Sequence, residues 1–187
     1  MIDIRPEQPG DAAAIECLLD DAFGRERHRK ISYSFRRGVE RLEQLCLTGH
    51  DNGALVGTIR GWPIAVGSHD VPALLVGPVA VARDRQGSGL GARLIGLVLE
   101  RGRAMGLPLA VLVGDMSYYG RFGFAPAAGF GIVMPREAPE RVLALPLDAA
   151  AQLPSGELRR WRTPAAARPP ARRGDRPRVP AVRASAG

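Results

Sequence analysis

The sequence is poor in the residues from which metal and redox sites are built. Its 187 residues include two cysteines and three histidines. Cys17 and Cys46 show no metal-ligand or redox spacing, and Cys17 falls in an apolar helical stripe, so we expect a reduced thiol in the core there. The histidines His28, His50 and His69 are scattered along the chain near turn or charged residues. The composition therefore argues against a metal centre.

Long hydrophobic runs are absent as well. No window approaches the ~18 consecutive apolar residues of a membrane span. The first residues, Met1 to Arg5, do not have the basic-then-apolar layout of a secretion signal. The length and the hydrophobic content of 45% are enough for one domain with its own core. We expect a soluble, cytoplasmic protein without a membrane partner.

The positive charge is concentrated at the C-terminal end. The formal net charge is +7, and from Arg159 onward nine arginines are opposed by one acidic residue, Asp175. This end therefore carries eight net positive charges, which leaves −1 for residues 1–158. Because the rest of the chain is nearly neutral, and no aromatic residue for base stacking follows Trp161, we do not expect a nucleic-acid partner.

The composition changes again near Pro164. Arginine, proline and alanine dominate from there to the end, without the apolar periodicity that a packed element needs. We therefore predict two parts: a folded domain over 1–158 and an Arg/Pro/Ala-rich disordered tail over 159–187. Attraction of phosphates to the tail is the one route by which it could contact nucleic acid.

The apolar pattern of the first half predicts one helix and a set of antiparallel strands. Asp11 is a plausible N-cap for a helix with an apolar stripe from Ile15 to Phe23, and Gly24 would end it. Short turns separate three of the strand candidates, which is typical of an antiparallel meander. The predicted strands of this half cover residues 2–5, 42–48, 54–66 and 72–81.

The last of these strands contains an interruption, Gly77-Pro78. Proline cannot donate to a strand ladder, and glycine inside a strand often marks a bulge. We expect the strand to splay at this point, so that backbone N–H and C=O groups become available to a ligand.

A glycine-rich turn follows, Gln86-Gly87-Ser88-Gly89-Leu90-Gly91, and opens a long amphipathic helix that Gly106 ends. Glycines at these positions let the backbone adopt positive φ and approach a ligand closely. The first N–H groups of the helix have no intrahelical partner and point into the turn with the positive end of the helix dipole. The arrangement predicts a site for a phosphate-sized anion.

Other interpretations of the turn compete with this one. Gly87-x-Gly89-x-x-Ala92 formally fits the dinucleotide fingerprint, but that motif follows the first strand of a βαβ unit and needs an acidic residue about 20 positions later. Here antiparallel strands precede the turn, and Val111-Leu112-Val113 occupies the position of the acid. A Walker loop needs Gly-Lys-Ser/Thr, which is absent. A glycine-rich connector without a ligand remains an alternative.

Three segments in order resemble the GNAT superfamily of N-acetyltransferases. Gln86 to Gly91 resembles its Q/R-x-x-G-x-G/A pyrophosphate motif, and Val76 to Val81 resembles its bulged fourth strand. Gly114 to Phe124, in the form G-D-x-x-Y-Y-x-R-F-G-F, is similar to the fourth helix and terminal Gly-Phe of the YhbS-type branch. The resemblance covers about residues 2–150. It implies an α/β (α+β) fold: a mixed, mostly antiparallel central sheet of six to seven strands, with a splayed fourth strand and about four flanking helices.

The resemblance also implies acetyl-CoA as co-substrate and roles for named residues. Backbone groups of Val79, Ala80 and Val81 would hold the pantetheine arm, and the amide after the bulge would polarise the thioester carbonyl. Tyr119 matches the tyrosine that protonates the departing thiolate, and a phenol with a pKa near 10 keeps its proton at pH 7. Tyr118 is the adjacent competitor for this role. The pyrophosphate would bind to backbone N–H groups of Gln86, Gly87, Ser88, Gly89, Leu90, Gly91 and Ala92.

The sequence thus predicts an N-acetyltransferase that transfers an acetyl group from acetyl-CoA to a primary amine by direct attack. The alternative is a non-catalytic acyl-CoA-binding or regulatory module of the same fold. We expect a small-molecule or peptide amine as acceptor and leave a homodimer open. Arg25 to Lys30 is interpreted as a solvated loop, with an acceptor pocket as the alternative, and Trp62 could face the core or a pocket. Asp115 is expected to cap the helix that follows it, with a general-base role as the alternative.

Overall fold

The computed structural model of the chain describes residues 2–148 and 152–162. Within these ranges it contains nine strands and four α-helices, joined by turns of 3-10 helix. The strands are β1 (Asp3–Pro6), β2 (Leu47–Asp51), β3 (Ala54–Val66), β4 (Val71–Val81), β5 (Leu109–Val113), β6 (Ala125–Pro126), β7 (Ile132–Val133), β8 (Val142–Pro146) and β9 (Gly156–Arg160). The helices are α1 (Ala12–Phe23), α2 (Ile31–Ser34), α3 (Leu90–Ala104) and α4 (Met116–Tyr119).

Seven of the strands form one path, in the order β1-β2-β3-β4-β5-β8-β6. Along this path β4 and β5 pair in parallel, and the other neighbours pair antiparallel. The remaining two strands lie beside it: β9 pairs antiparallel with the end of β3 and in parallel with β7. The mixed, mostly antiparallel sheet with flanking helices that the sequence predicted is therefore confirmed, with two short strands added to the seven.

The sheet has a buried cluster on each face, because successive side chains of a strand point to opposite sides. On β5, Ala110 and Leu112 belong to the cluster that contains the apolar stripe of α3, whereas Leu109 and Val111 belong to the other. α1 packs Ile15, Leu18 and Leu19 near Ala80 of β4. α1 and α3 thus pack beside the same stretch of β4, the stretch that follows the Gly77-Pro78 interruption.

One predicted strand was placed wrongly. Residues 43–45 form a turn of 3-10 helix, and the strand begins only at Leu47. Leu45 is fully buried, and the amide of Leu42 donates to the carbonyl of Gly61. A short apolar run is the same signal for a buried helical turn and for a buried strand, and this explains the error.

Two predictions for the first helix also needed correction. Cys17 is exposed rather than in the core, because the buried stripe of α1 consists of Ile15, Leu18 and Leu19. Asp11 directly precedes α1, but its carboxylate does not cap that helix. It accepts hydrogen bonds from the backbone of Gln8 at 2.9 Å and from the guanidinium of Arg5 at 3.0 Å.

The last strand extends past the boundary drawn from composition. β9 runs to Arg160, and Leu158 at its centre is buried in the core. The division into a domain and a disordered tail stays a prediction, and residues 163–187 of that tail lie outside the described residues. Among the described helices, none is long and apolar enough to cross a membrane.

Candidate active site

The Gly77-Pro78 interruption opens a gap in the sheet. Across it the register between β3 and β4 shifts, from Gly61 opposite Val76 to Ile59 opposite Val79. On its other side β4 pairs with β5 only at Leu74 and Leu75. The splayed strand predicted from the sequence is therefore confirmed, and the edge of β4 beyond the bulge is free of a strand partner among the described residues.

The hydrogen-bond pattern shows which amides face this free edge. Along an antiparallel ladder the N–H groups alternate between the two edges of the strand. The amide of Ala82 donates to Val56, towards β3, at 2.8 Å. The amides of Val79 and Val81 therefore point to the free edge, whereas that of Ala80 points to β3.

The glycine-rich turn is fixed by one buried side chain. Gly87 and Gly89 have φ of +80° and +82°, in the left-handed region that favours glycine. Leu90, the first residue of α3, is buried, and its Cδ2 lies 2.6 Å from the position that a Cβ on Gly57 would occupy. The side chain of Leu90 thus anchors the turn to β3. Only the backbone of Leu90 remains available to a ligand.

The start of α3 leaves donors unpaired. The first helical bond runs from the amide of Arg93 to the carbonyl of Gly89, at 3.0 Å. The amides of Gly91 and Ala92 precede it and have no carbonyl one turn back within the helix. Ser88 accepts a hydrogen bond from the amide of Leu90 on its Oγ at 3.4 Å. Two adjacent N–H groups at the positive end of the α3 dipole therefore have no partner among the described residues.

A cleft, which we call the turn cleft, runs from β4 to this turn. Its volume is about 480 Å³. It brings together all the residues predicted to hold the co-substrate except Ser88, whose hydroxyl binds the turn itself. Besides Tyr119, the cleft is lined by four residues that the sequence did not assign to the co-substrate: Phe23, Arg85, Tyr118 and Arg121. The Arg83-Asp84-Arg85 run was a signal for Arg85, and Arg121 stands in the G-D-x-x-Y-Y-x-R-F-G-F form of the sequence. Phe23 had no signal beyond its place in an apolar stripe.

Tyr119 lies where the turn cleft meets a second cleft. This bulge cleft, of about 370 Å³, is lined by Gly77, Pro78 and Arg36, and it shares Val79 and Tyr119 with the turn cleft. The ring of Tyr119 packs edge-on against Tyr118 and Phe124. Burial, with smaller contributions from Tyr118 and Asp115, raises the pKa of Tyr119 to about 12.

Tyr118 occupies a different place. It lines the turn cleft but not the bulge cleft. Its hydroxyl lies 3.1 Å from the position of a Cβ on Gly91, and the guanidinium of Arg121 lies 4.0 Å from its ring centroid. Tyr118 therefore covers the start of α3, whereas Tyr119 reaches the end of the cleft beside the bulge.

Asp115 precedes α4, as predicted, but its side chain makes no capping hydrogen bond. Its backbone carbonyl instead accepts the amides of Tyr118 and Tyr119, each at 3.0 Å. The side-chain cap was therefore wrong, and the contribution of the carboxylate here is electrostatic: its charge opposes ionisation of Tyr119.

The interpretation of Arg25 to Lys30 as a solvated loop was wrong for its central residue. Arg27 is buried, and its guanidinium pairs with Glu16 at 2.6 Å and with Asp20 at 2.9 Å. These two acids lie one turn apart on α1 and bind the guanidinium together. Arg29 and Lys30 line the bulge cleft.

A third cavity, the arginine pocket, adjoins the bulge cleft. Its volume is about 290 Å³, and its lining includes Arg27, Arg60 and Trp62. It shares Tyr33, Arg36 and Pro78 with the bulge cleft, so the arginine pocket adjoins the bulge cleft as the bulge cleft adjoins the turn cleft. Trp62 thus faces a pocket, one of the two alternatives that the sequence left open.

Two carboxylates bind the guanidinium of Arg60, which lines the arginine pocket. Arg60 binds Glu7 at 2.8 and 2.9 Å and Glu16 at 2.9 Å. Burial alone would lower the pKa of Arg60, but the hydrogen bonds to both acids outweigh burial and raise it. Within residues 2–148 and 152–162, no group of three or more histidine, cysteine or acidic side chains is arranged to hold a metal ion.

Comparison with known proteins points to one family. The family model for the acetyltransferase (GNAT) domain matches residues 3–127. The chain is 31% identical to the uncharacterized N-acetyltransferase YhbS of Escherichia coli (strain K12) over 125 residues, which is 67% of this chain and 74% of that protein. It is 32% identical to the uncharacterized N-acetyltransferase YjhQ of the same organism over 121 residues, 64% of this chain and 67% of that protein.

Solved structures agree with these relatives. The crystal structure of Escherichia coli YhbS in complex with CoA has a TM-score of 0.74 at 26% identity, covering 84% of this chain and 88% of that one. A GNAT family acetyltransferase from Brucella melitensis in complex with acetyl-CoA has a TM-score of 0.62 at 28% identity, covering 84% and 94%.

Proposed function

Since the chain belongs to the GNAT family of acetyltransferases, we propose that it transfers an acetyl group from acetyl-CoA to a primary amine by direct attack. One observation carries the proposal: Tyr119 lies at the junction of the turn cleft and the bulge cleft, beside the free edge of β4. The junction gives a thioester and an amine a common meeting point, with a proton donor beside it.

The residues of the turn cleft fit acetyl-CoA. The unpaired amides of Gly91 and Ala92, at the positive end of a helix, suit a pyrophosphate, and this requires no side-chain charge. The outward amides of Val79 and Val81 would pair with the amide-containing arm as a neighbouring strand does. The CoA and acetyl-CoA present in the two structural relatives support this assignment.

Acetyl transfer by direct attack mainly requires that the thioester, the amine and a proton donor are held in position. The bound thioester supplies the acetyl group. The amide of Val79, directly after the bulge, would donate to the carbonyl oxygen on which negative charge develops. The amine nitrogen forms its bond to the carbonyl carbon and gives up a proton to water, while the carbon–sulfur bond breaks. Tyr119 would donate its proton to the departing sulfur and regain one from water, so that the proton lost by the amine balances the one gained by the sulfur.

The high pKa of Tyr119 defines how this donation works. A phenol with a pKa of about 12 is fully protonated at neutral pH and available as a donor. A thiol in water has a pKa of about 8.5, so complete transfer of the proton from such a phenol would be uphill. The same burial that raises the pKa of Tyr119 raises that of a thiol leaving beside it, which brings the two closer.

Two measurements on the full chain test the proposal. Titration calorimetry with acetyl-CoA should show saturable binding, and a panel of primary amines should release thiol in the presence of acetyl-CoA. Binding without thiol release from any amine would instead identify the non-catalytic acyl-CoA-binding module. Absence of binding would overturn the assignment of the turn cleft.

A further inference from the structure

The arginine pocket contains more hydrogen-bond donors than its own residues satisfy. Four of the residues that line it carry buried polar atoms that have no hydrogen-bond partner within the described part of the chain. These atoms are Nε of Arg27, Oη of Tyr33, Nε and Nη1 of Arg36, and Nε1 of Trp62. Buried donors left unpaired are costly, so a set of them around one cavity indicates an acceptor-rich ligand.

Two arginines of the pocket, Arg36 and the exposed Arg37, have no carboxylate partner among the described residues, and Arg36 is the less exposed of the two. Arg27 is paired with Glu16 and Asp20, and Arg60 with Glu7 and Glu16. Among the described residues Arg36 has no carboxylate partner. Its guanidinium lies over the ring of Tyr33, 4.6 Å from the centroid.

Burial of this charge is unfavourable without a counter-ion. It lowers the pKa of Arg36 to about 10, with Tyr33 opposing the shift and Arg60 adding to it. A bound anion would therefore be stabilised by Arg36 more strongly than by an exposed arginine.

The position of Arg36 relates the pocket to the bulge. A Cβ on Gly77 would lie 3.7 Å from Nη2 of Arg36 and 3.7 Å from the backbone nitrogen of Val79. The two nitrogens are therefore at most 7.4 Å apart, twice 3.7 Å. If the amide of Val79 polarises the thioester carbonyl, a group bound by Arg36 lies only a few bonds from the attacking amine.

We propose that Arg36, with Tyr33 and Trp62, binds the carboxylate of the acceptor, and that the acceptor is a small amino carboxylate such as an α-amino acid. The inference rests on the proposed function and specifies its substrate. A planar guanidinium matches a carboxylate, and a lining with four arginines and one carboxylate, that of Glu16, suits an anion rather than a cation. The pocket volume of about 290 Å³ suits a small molecule rather than a folded partner.

The reaction then has a defined balance. The amino nitrogen of the acceptor bonds to the acetyl carbon, the carbon–sulfur bond of acetyl-CoA breaks, and the products are an N-acetylamino acid and CoA. One proton leaves the nitrogen and one is gained by the sulfur. The carboxylate takes no part in the bond changes, and Arg36 acts as a binding residue for it.

The test compares each amino acid with its own amide. With the full chain and acetyl-CoA, kcat/KM is measured for the twenty amino acids and for the corresponding amides, which keep the amine and lack the charge. We expect the best amino acid to exceed its amide about 10- to 100-fold, as for loss of a charge-assisted hydrogen bond. Arg36→Gln should remove this preference by lowering the value for the amino acid alone, and Arg36→Lys should restore part of it.

Arg103→Gln is the matched control. Arg103 is exposed near the end of α3 opposite to the glycine-rich turn, so its loss removes one positive charge and leaves the preference in place. Melting curves establish that each variant folds. Titration calorimetry with the best amino acid in the absence of acetyl-CoA measures its binding affinity without any turnover.

The outcomes separate the two proposals. Equal use of amino acids and amides, or a preference that survives in Arg36→Gln, overturns the carboxylate site while acetyl transfer stands. Amino-acid binding that depends on Arg36 in a protein that transfers no acetyl group supports the site and refutes the proposed function. Inorganic phosphate that competes as strongly as the amino acid would show a general anion site and overturn the substrate assignment.

Discussion

The ring of Tyr119 lies directly on the backbone of Gly114, the residue that follows β5. A Cβ on Gly114 would be 2.7 Å from Cδ2 of Tyr119 and nearer still to Cε2. Real Cβ atoms do not come this close to other heavy atoms. The absence of a Cβ at Gly114 therefore lets the Tyr119 ring pack against the backbone there. This packing fixes the position of the Tyr119 hydroxyl between the two clefts.

Gly114→Ala should displace that ring. We expect the overpacking to lower the free energy of unfolding by about 1–3 kcal/mol. A lower kcat should accompany it, because the hydroxyl moves away from the junction. Gly96→Ala is the control: it lies on the exposed side of α3 with nothing within 4 Å of the new Cβ, so stability should not fall. Denaturant unfolding and steady-state kinetics check both. Wild-type kcat in Gly114→Ala would contradict the importance of ring depth.

Substitution of the adjacent tyrosines Tyr118 and Tyr119 should affect different kinetic constants. Tyr119→Phe removes the proton donor at the junction, and we expect kcat to fall about 100-fold or more. Tyr118→Phe changes the turn cleft alone, and we expect KM for acetyl-CoA to rise about 2- to 10-fold with little change in kcat. Each substitution removes one hydroxyl and keeps the ring, so each variant is the control for the other. Exchanged phenotypes would assign the donor role to Tyr118.

The ionisation of Tyr119 should be visible as a late step in an alkaline titration. Its pKa in the folded protein is about 12, above its ordinary value of 10. The shift therefore adds stability that is fully present below pH 10 and is lost as the pH rises from there through 12.

Two measurements follow this group. In the ultraviolet titration of wild-type protein, the phenolate band should gain a component near pH 12 that is missing in Tyr119→Phe. Unfolding free energies above pH 10 should also decline less in the variant than in wild type. Identical titrations would show that Tyr119 is not buried as described.

The bulge in β4 and the turn between β2 and β3 were predictable because local chemistry dictates them. Gly77-Pro78 cannot continue a regular ladder, and the bulge occurs there. The turn at Asn52 and Gly53 needs two positive φ angles, which Asn-Gly supplies, and it joins β2 to β3 at the predicted place.

What the sequence could not reveal depends on pairing across long separations. Arg27 reads as part of a charged run, and only the fold brings Glu16 and Asp20 of α1 to it. Arg36 likewise carries no local signal. What distinguishes it is that the nearby carboxylates pair with Arg27 and Arg60 and leave Arg36 without a counter-ion. Leu158 lies in a stretch that composition assigned to the edge of the domain, yet β9 buries it against β3.

Two glycines with nearly the same backbone conformation allow a last, matched prediction about the turn. Gly89 has φ of +82° and Gly53 has φ of +83°, and a Cβ on either would meet nothing within 4 Å. Alanine at either position costs about 1–2 kcal/mol, because the left-handed conformation is unfavourable for a residue with a Cβ. The two variants should therefore lose similar stability.

Gly89→Ala should in addition weaken acetyl-CoA binding, because relief of strain turns the N–H groups at the start of α3 away from the turn cleft. Gly53→Ala, in the β2–β3 turn, should bind acetyl-CoA as wild type does. Calorimetry and unfolding measurements on both decide the matter: equal affinities would mean that the turn geometry does not hold the pyrophosphate.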